Sequence, residues 1–115
     1  MKPYLAAALQ MTSRPNLTEN LQEAEELIDL AVRQGAELVG LPENFAFLGN
    51  ETEKLEQAAA IATATEKFLQ TMAQRFQVTI LAGGFPFPVA GEAGKAYNTA
   101  TLIAPNGQEL ARYHK

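Results

Sequence analysis

The chain has 115 residues, of which 47% are hydrophobic and 19% charged, with a formal net charge of −4, one histidine and no cysteine. This composition is typical of a single globular domain. It excludes a basic nucleic-acid-binding face, a disulfide framework, a thiolate nucleophile within these residues and a conventional zinc site. No apolar run approaches the ~18 residues that cross a bilayer, and the amino terminus lacks a signal-peptide pattern. We therefore predict a cytoplasmic protein that binds neither membrane nor nucleic acid.

The first part of the chain predicts a β-α-β unit. The apolar run Tyr4–Met11 is interpreted as a buried strand because turn-forming residues follow it. Asn16 and Glu19 form a capping-box pattern for the helix that comes next, and Gly35 is placed to end that helix in the left-handed conformation. Leu38–Leu41 then predicts a second buried strand. The two strands are expected to be parallel, with a right-handed crossover.

The second part of the chain predicts two helices and three further strands. Glu51–Ile61 is alanine-rich and helical in pattern, and Thr63 with Glu66 offers a capping box for a separate helix after it. A glycine pair at 83–84 follows the third strand and lets the backbone turn or approach another group closely. A Pro-Asn-Gly turn joins the last two strands as a hairpin. The predicted strands are Val78–Gly83, Asn98–Ile103 and Glu109–Tyr113. Together, the predicted helices and strands indicate an α/β protein built as a layered sheet.

The residues around Pro42 have the most promising chemistry. Pro42 ends the second strand because it has no N–H for a ladder, and Glu43 follows it at the carboxyl end of that strand. Open α/β sheets bind their ligands at this end, and Phe45 and Phe47 lie close by in sequence. We expect apolar surroundings to raise the pKa of Glu43 and favour acid/base catalysis. The alternative is a structural loop acid that caps a backbone N–H or pairs with a basic residue.

Short segments along the whole chain form an ordered set at characteristic spacing. They are Ala8–Ser13, Asn20-Leu21, Gly35–Val39, Leu41–Phe45, Leu81–Gly84, Tyr97–Thr99, Pro105–Gly107 and Arg112–Lys115. This set resembles the nitrilase superfamily of carbon–nitrogen hydrolases, and within it the amidase branch of deaminated-glutathione amidases and ω-amidases. Each segment alone is weak evidence, whereas the ordered set is specific.

The resemblance implies a fold and a reaction. Residues 1–115 would be a single, incomplete domain, the amino-terminal portion of a nitrilase-like α-β-β-α sandwich. The catalytic Glu and Lys of the family fall on Glu43 and Lys115, and the catalytic Cys lies beyond this chain. The implied reaction is hydrolysis of a small carboxylate-bearing amide to acid and ammonia, with no metal and no organic cofactor. The resemblance also implies a homo-oligomer.

Substrate contacts are expected beside the catalytic pair. The candidates are Asn44, Phe45, Phe47 and Tyr97. The aromatic rings are equally compatible with packing beneath the loops. His114, next to the lysine, is interpreted as an outward-facing strand residue, and an incomplete sandwich is expected to expose an apolar sheet face that promotes association.

Two other functions stay open at this point. One possibility is that the chain is not an enzyme by itself. It would then be a non-catalytic truncated or degenerate homologue, or a half-domain that pairs with a partner chain carrying the cysteine. A second possibility is a nitrilase, which acts on a nitrile with the same three catalytic residues.

Overall fold

In the computed structural model, which describes residues 2–115, a mixed sheet has its five strands in sequence order. The elements are β1 (Leu5–Ala8), α1 (Leu17–Arg33), β2 (Ala36–Leu41), α2 (Glu51–Phe76), β3 (Thr79–Pro88), β4 (Ala96–Ile103) and β5 (Glu109–His114). Strands β1, β2 and β3 are mutually parallel, while β4 and β5 continue the sheet antiparallel. The predicted α/β class, the parallel β-α-β beginning and the final hairpin are confirmed. The prediction of a buried strand over Tyr4–Met11 was wrong, because β1 is a four-residue strand at the edge of the sheet and is mostly exposed.

Helix α1 begins and ends at the predicted residues. The Asn16 side chain accepts a hydrogen bond from the Glu19 N–H at 3.0 Å, and Gly35 follows the helix with φ +98°. Asn20 is buried on the core side of α1. Its amide donates to the Arg14 and Ala46 carbonyls at 2.6 and 2.8 Å. Asn20 therefore ties the segment before α1 to the loop that follows β2.

The prediction of two helices after Asn50 was wrong, because α2 is one continuous helix of 26 residues. The Asn50 side chain caps it by accepting from the Glu53 N–H at 2.8 Å. One buried face continues across the predicted break, through Ala58, Ile61 and the residues around Thr63. The alanines in this stretch also favour helix. The Thr63 capping pattern is thus overridden by propensity and packing.

Strand β3 does not end at Gly83 but continues to Pro88. Its pairing with β4 shifts register between Ala82 and Phe85, so the two glycines form an irregularity within the strand. Strand β2 pairs with β3 only as far as Ala82, which leaves the outer half of β3 with β4 as its single strand neighbour. Proline is tolerated in that outer half because no second ladder needs its N–H.

The two faces of the sheet differ in what covers them. Helices α1 and α2 contact each other and the sheet, and they bury residues such as Val39 and Ile80 to 0% exposure. By strand alternation the next residues along each strand point to the opposite side, which we call the open face. It carries an apolar set that is partly exposed: Leu38, Leu81, Leu102 and Tyr113. Within residues 2–115, neither helix is long and apolar enough to cross a membrane.

Candidate functional site

A tight turn after β2 presents Glu43 at the edge of the sheet. Asn44 adopts the left-handed conformation with φ +59°, which asparagine tolerates better than most residues. Its N–H donates to the Gly84 carbonyl at 2.9 Å, and the Phe45 N–H donates to the Pro42 carbonyl at 3.2 Å. These two bonds fix the turn against β3, so the position of Glu43 is set by the backbone on both sides of it.

Lys115 reaches Glu43 from the far end of the sequence. The Lys115 N–H donates to the Asn98 carbonyl at 2.9 Å, which continues the pairing of β5 with β4. The Lys115 Nζ lies 3.2 Å from Glu43 Oε1, although 72 residues separate the two. The predicted convergence of this acid and this amine in space is confirmed.

Asn98 makes the third contact in the cluster. Its side-chain amide donates a hydrogen bond to Glu43 Oε1, the same oxygen that Lys115 contacts. Strand alternation puts Asn98 and Lys115 on the open face, opposite each other in neighbouring strands. The cluster therefore lies where the apolar open face meets the end of β2.

The expected rise in the pKa of Glu43 was wrong. The hydrogen bond from Asn98, followed by the hydrogen bond and charge of Lys115, lowers the pKa of Glu43 below its ordinary value of 4.5. The side chain is 52% exposed, so desolvation does little to oppose these donors. Two donors to one carboxylate favour its charged form, which is the state a general base needs at neutral pH.

The predicted substrate contacts fall into two groups. Phe45 and Phe47 are buried to 0% and 2% exposure in the core, and the Phe45 ring meets Phe85 edge-on at 6.4 Å. Asn44 and Tyr97 instead line a small pocket of about 160 Å³ beside the cluster. Packing beneath the loop thus accounts for the two phenylalanines, while the other two residues are open to a small molecule.

The strand segment next to Lys115 is held by its neighbours. His114 is exposed, as predicted, but its Nδ1 lies 2.7 Å from the Thr99 hydroxyl and its ring stacks on Tyr97 at 4.2 Å. Arg112 bonds Glu66 of α2 and Glu109 at 2.6 and 2.7 Å. These acids, led by Glu109, raise the pKa of Arg112 further above its already high ordinary value.

The family model for carbon-nitrogen hydrolases matches residues 5–115, nearly the whole chain. The chain belongs to the carbon-nitrogen hydrolase family. The recognition drawn from the ordered segments is confirmed.

Relatives and solved structures agree with this assignment. A deaminated glutathione amidase from Synechocystis sp. is 99% identical over all 115 residues, which make up 42% of that protein. Human omega-amidase NIT2 is 30% identical over the whole chain, which matches 41% of it. The chain thus spans about two-fifths of the length of these curated relatives.

Among solved structures, the Caenorhabditis elegans NitFhit protein superposes with a TM-score of 0.91 at 30% identity, covering 97% of this chain and 27% of that one. An amidase from Nesterenkonia sp. gives 0.83 at 28% identity, covering 96% and 41%. The predicted nitrilase-like α/β fold is confirmed.

Sequence reasoning assigned no role to Asn98 in this hydrolase family member. Tyr97-Asn98-Thr99 belongs to the ordered segments, and the alternation of β4 separates Asn98 from its two neighbours. That alternation places Asn98 on the same face of the sheet as Lys115, across from it in the neighbouring strand. The sequence pattern of β4 could therefore have indicated that Asn98 lies near Lys115.

No group of three or more His, Cys, Asp or Glu residues within positions 2–115 is arranged to hold a metal ion.

Proposed function

We propose that residues 1–115 are the amino-terminal, incomplete part of an amidase domain. In this proposal, Glu43 and Lys115 act with a cysteine outside these residues to hydrolyse a small carboxylate-bearing amide to acid and ammonia. The observation that supports it most directly is the 3.2 Å contact between Lys115 Nζ and Glu43 Oε1. A cytoplasmic location and a homo-oligomeric assembly stay predictions.

Amide hydrolysis requires a nucleophile stronger than water, and a thiolate meets that need when a neighbouring cation lowers its pKa. The Lys115 ammonium is such a cation, and it also stabilises the oxyanion of the tetrahedral intermediate. The Nesterenkonia amidase supports the choice of nucleophile, because one solved form of it shows the result of Michael addition of acrylamide at its active-site cysteine. The present 115 residues contain no cysteine.

Glu43 is suited to move the protons of this reaction. As a charged carboxylate it accepts the thiol proton, passes it to the departing ammonia and then activates the water that cleaves the thioester. Asn44 and Tyr97 are the proposed substrate contacts, because both line the pocket next to the cluster. Phe45 and Phe47 are proposed to support the loop that carries Glu43, since both rings are buried beneath it.

The test uses a full-length chimera in which these 115 residues replace the matching amino-terminal 42% of the Synechocystis relative. We expect the chimera to release ammonia from ω-amides, and Glu43→Gln to lower the rate by about 10²- to 10⁴-fold. Glu25→Gln is the matched control, because Glu25 pairs with Arg75 between the two helices and makes no contact with the Glu43 cluster.

Three results would decide between the proposal and its rivals. Full activity of Glu43→Gln would remove Glu43 from the mechanism. Ammonia release from nitriles in preference to amides would favour the nitrilase alternative. An inactive chimera beside an active Synechocystis parent would favour the non-catalytic homologue.

A further inference from the structure

We propose that Asn98 is a positioning residue that holds the Glu43 carboxylate and the Lys115 ammonium in register with each other. This inference rests on the proposed function, because it assigns a task to a residue that bonds the Glu43 carboxylate and the main chain of Lys115. Neither the family match nor the relatives identify a role for this side chain.

Asn98 bonds to Glu43 and to Lys115 through different parts of the same residue. Its side-chain amide donates to Glu43 Oε1, and its main-chain carbonyl accepts from the main-chain N–H of Lys115 at 2.9 Å. A displacement of Asn98 would therefore disturb both the acid and the stretch of main chain that carries the Lys115 ammonium. A single exposed ion pair between long side chains is weak and adjustable, so this shared anchor gives the pair its defined geometry.

The contact with Glu43 sets the orientation of the Asn98 amide. Glu43 requires the nitrogen end of the amide to face it, because the oxygen end would repel a carboxylate. The Asn98 Oδ1 then lies buried without a hydrogen-bond partner, whereas buried polar side-chain atoms are nearly always paired. An acceptor left unpaired to keep a donor on an acid indicates that the contact with Glu43 has a use beyond stability.

The neighbouring strand β3 leaves room for this orientation of the Asn98 amide. A Cβ built on Gly84 would lie 2.5 Å from Asn98 Oδ1 and 3.4 Å from Glu43 Cγ, and Gly84 has a φ of +149°. A side chain at position 84 would therefore displace the amide and pack against the acid. The irregularity in β3 makes a space that this Asn–Glu contact fills.

Electrostatics point the same way. The hydrogen bond from Asn98 is the largest of the effects that lower the pKa of Glu43, ahead of those of Lys115. Loss of that bond should raise the pKa of Glu43 and loosen its position relative to Lys115. Both changes would be visible in how the rate depends on pH.

The experiment measures kcat/KM against pH for Asn98→Leu and Asn98→Asp in the full-length chimera. Leucine keeps the size of the side chain but removes the donor, and aspartate keeps the shape but puts a second negative charge beside Glu43. We expect the acidic limb of the profile to move to higher pH in both variants, further for Asn98→Asp. At neutral pH we expect kcat to fall by about 10- to 100-fold, as misplaced catalytic groups do.

Thr101→Val is the matched control. Thr101 is buried in the same strand and also has an unpaired oxygen, but it faces the helices and makes no bond to Glu43. This variant should keep both the pH profile and the rate. It reports what a buried polar substitution in β4 does by itself.

The outcomes separate the inference from the function on which it rests. If Asn98→Leu loses activity in proportion to its folded fraction and keeps the parental acidic limb, Asn98 is only structural and the inference is overturned. The inference is also overturned if Asn98→Asp keeps the parental profile. If Glu43→Gln is as active as the chimera, the proposed function fails instead.

Discussion

The two faces of the sheet each hold an ion pair, and the pairs are built differently. On the helix side, Arg112 bonds Glu66 and Glu109 and lies 4.8 Å over the Phe87 ring, with its side chain 26% exposed. On the open side, Lys115 makes a single contact with Glu43, and both side chains are about half exposed. The first pair joins α2 to β5, whereas the second joins two chain segments at a loop.

The difference is what we expect if the first pair serves the fold and the second serves the proposed chemistry. Several bonds to one guanidinium at a partly buried site hold its strand in place, because each bond restricts the side-chain positions that the other bonds allow. A lysine with one half-exposed partner contributes little to stability, but it can exchange that partner for another negative group. Four measurements test this contrast.

The largest effect is expected for Lys115→Met in the full-length chimera. Loss of the ammonium should lower kcat by about 10²- to 10⁴-fold, because it removes oxyanion stabilisation, and the thermal midpoint should change little. Lys95→Met is the control, since Lys95 pairs with Glu92 in an exposed loop. A large fall in the thermal midpoint without a loss of rate would reverse the contrast.

Arg112→Met should show the opposite behaviour. We expect it to lower the free energy of unfolding by about 1–2 kcal/mol, because the charge-assisted contact with Glu66 between β5 and α2 is lost together with the contact to Glu109 within β5. Urea titration followed by circular dichroism measures this change. Arg33→Met, which breaks an exposed pair within α1, should have almost no effect on the same measurement.

The open face itself provides the third measurement. The 115-residue chain should self-associate through its uncovered apolar residues, and Leu81→Lys should weaken that association by about tenfold or more. Sedimentation velocity over a range of concentrations detects this. Leu30→Lys changes an equally exposed leucine on α1 and should leave the association unchanged. If the chain were monomeric at all concentrations and unfolded cooperatively, the prediction would be contradicted.

The smallest effect is a pH dependence of stability. The pKa of Glu43 is lower in the folded chain than in the unfolded one, so its contribution is complete above about pH 4.5 and is lost as pH falls through the folded value. The difference in thermal midpoint between the parent and Glu43→Gln should therefore shrink on acidification below pH 4.5. If the difference in thermal midpoint instead grew in acid, the pKa of Glu43 would have to be raised in the folded chain.

Local patterns in the sequence predicted much of this fold, because their physics is local. Asn16 with Glu19, Gly35 and the Pro-Asn-Gly turn each act within a few residues, and all three are found where expected. The meeting of Glu43 with Lys115 was predictable from the ordered family segments alone. No local rule joins residues 72 positions apart.

The failures have physical causes that lie outside the local sequence. The capping pattern at Thr63 competed with the helix propensity and the packing of its neighbours, which extend α2 through it. The pKa of Glu43 depends on donors from β4 and β5 and on exposure, none of which its own loop reveals. The alternation of β4 indicated which face carries Asn98, but the bond from its amide to Glu43 depends on the pairing of β4 with β3, which is known only from the strand register.

The glycine pair in β3 has a consequence for how this protein can vary. A Cβ on Gly83 would collide with the Leu41 carbonyl, and one on Gly84 would meet Asn98. The bare backbone at these two positions therefore acts as the spacer between the acid-bearing turn and the amide-bearing strand. Even an added methyl group at either position would push the turn and the strand apart, so we expect substitutions of these two glycines to be poorly tolerated.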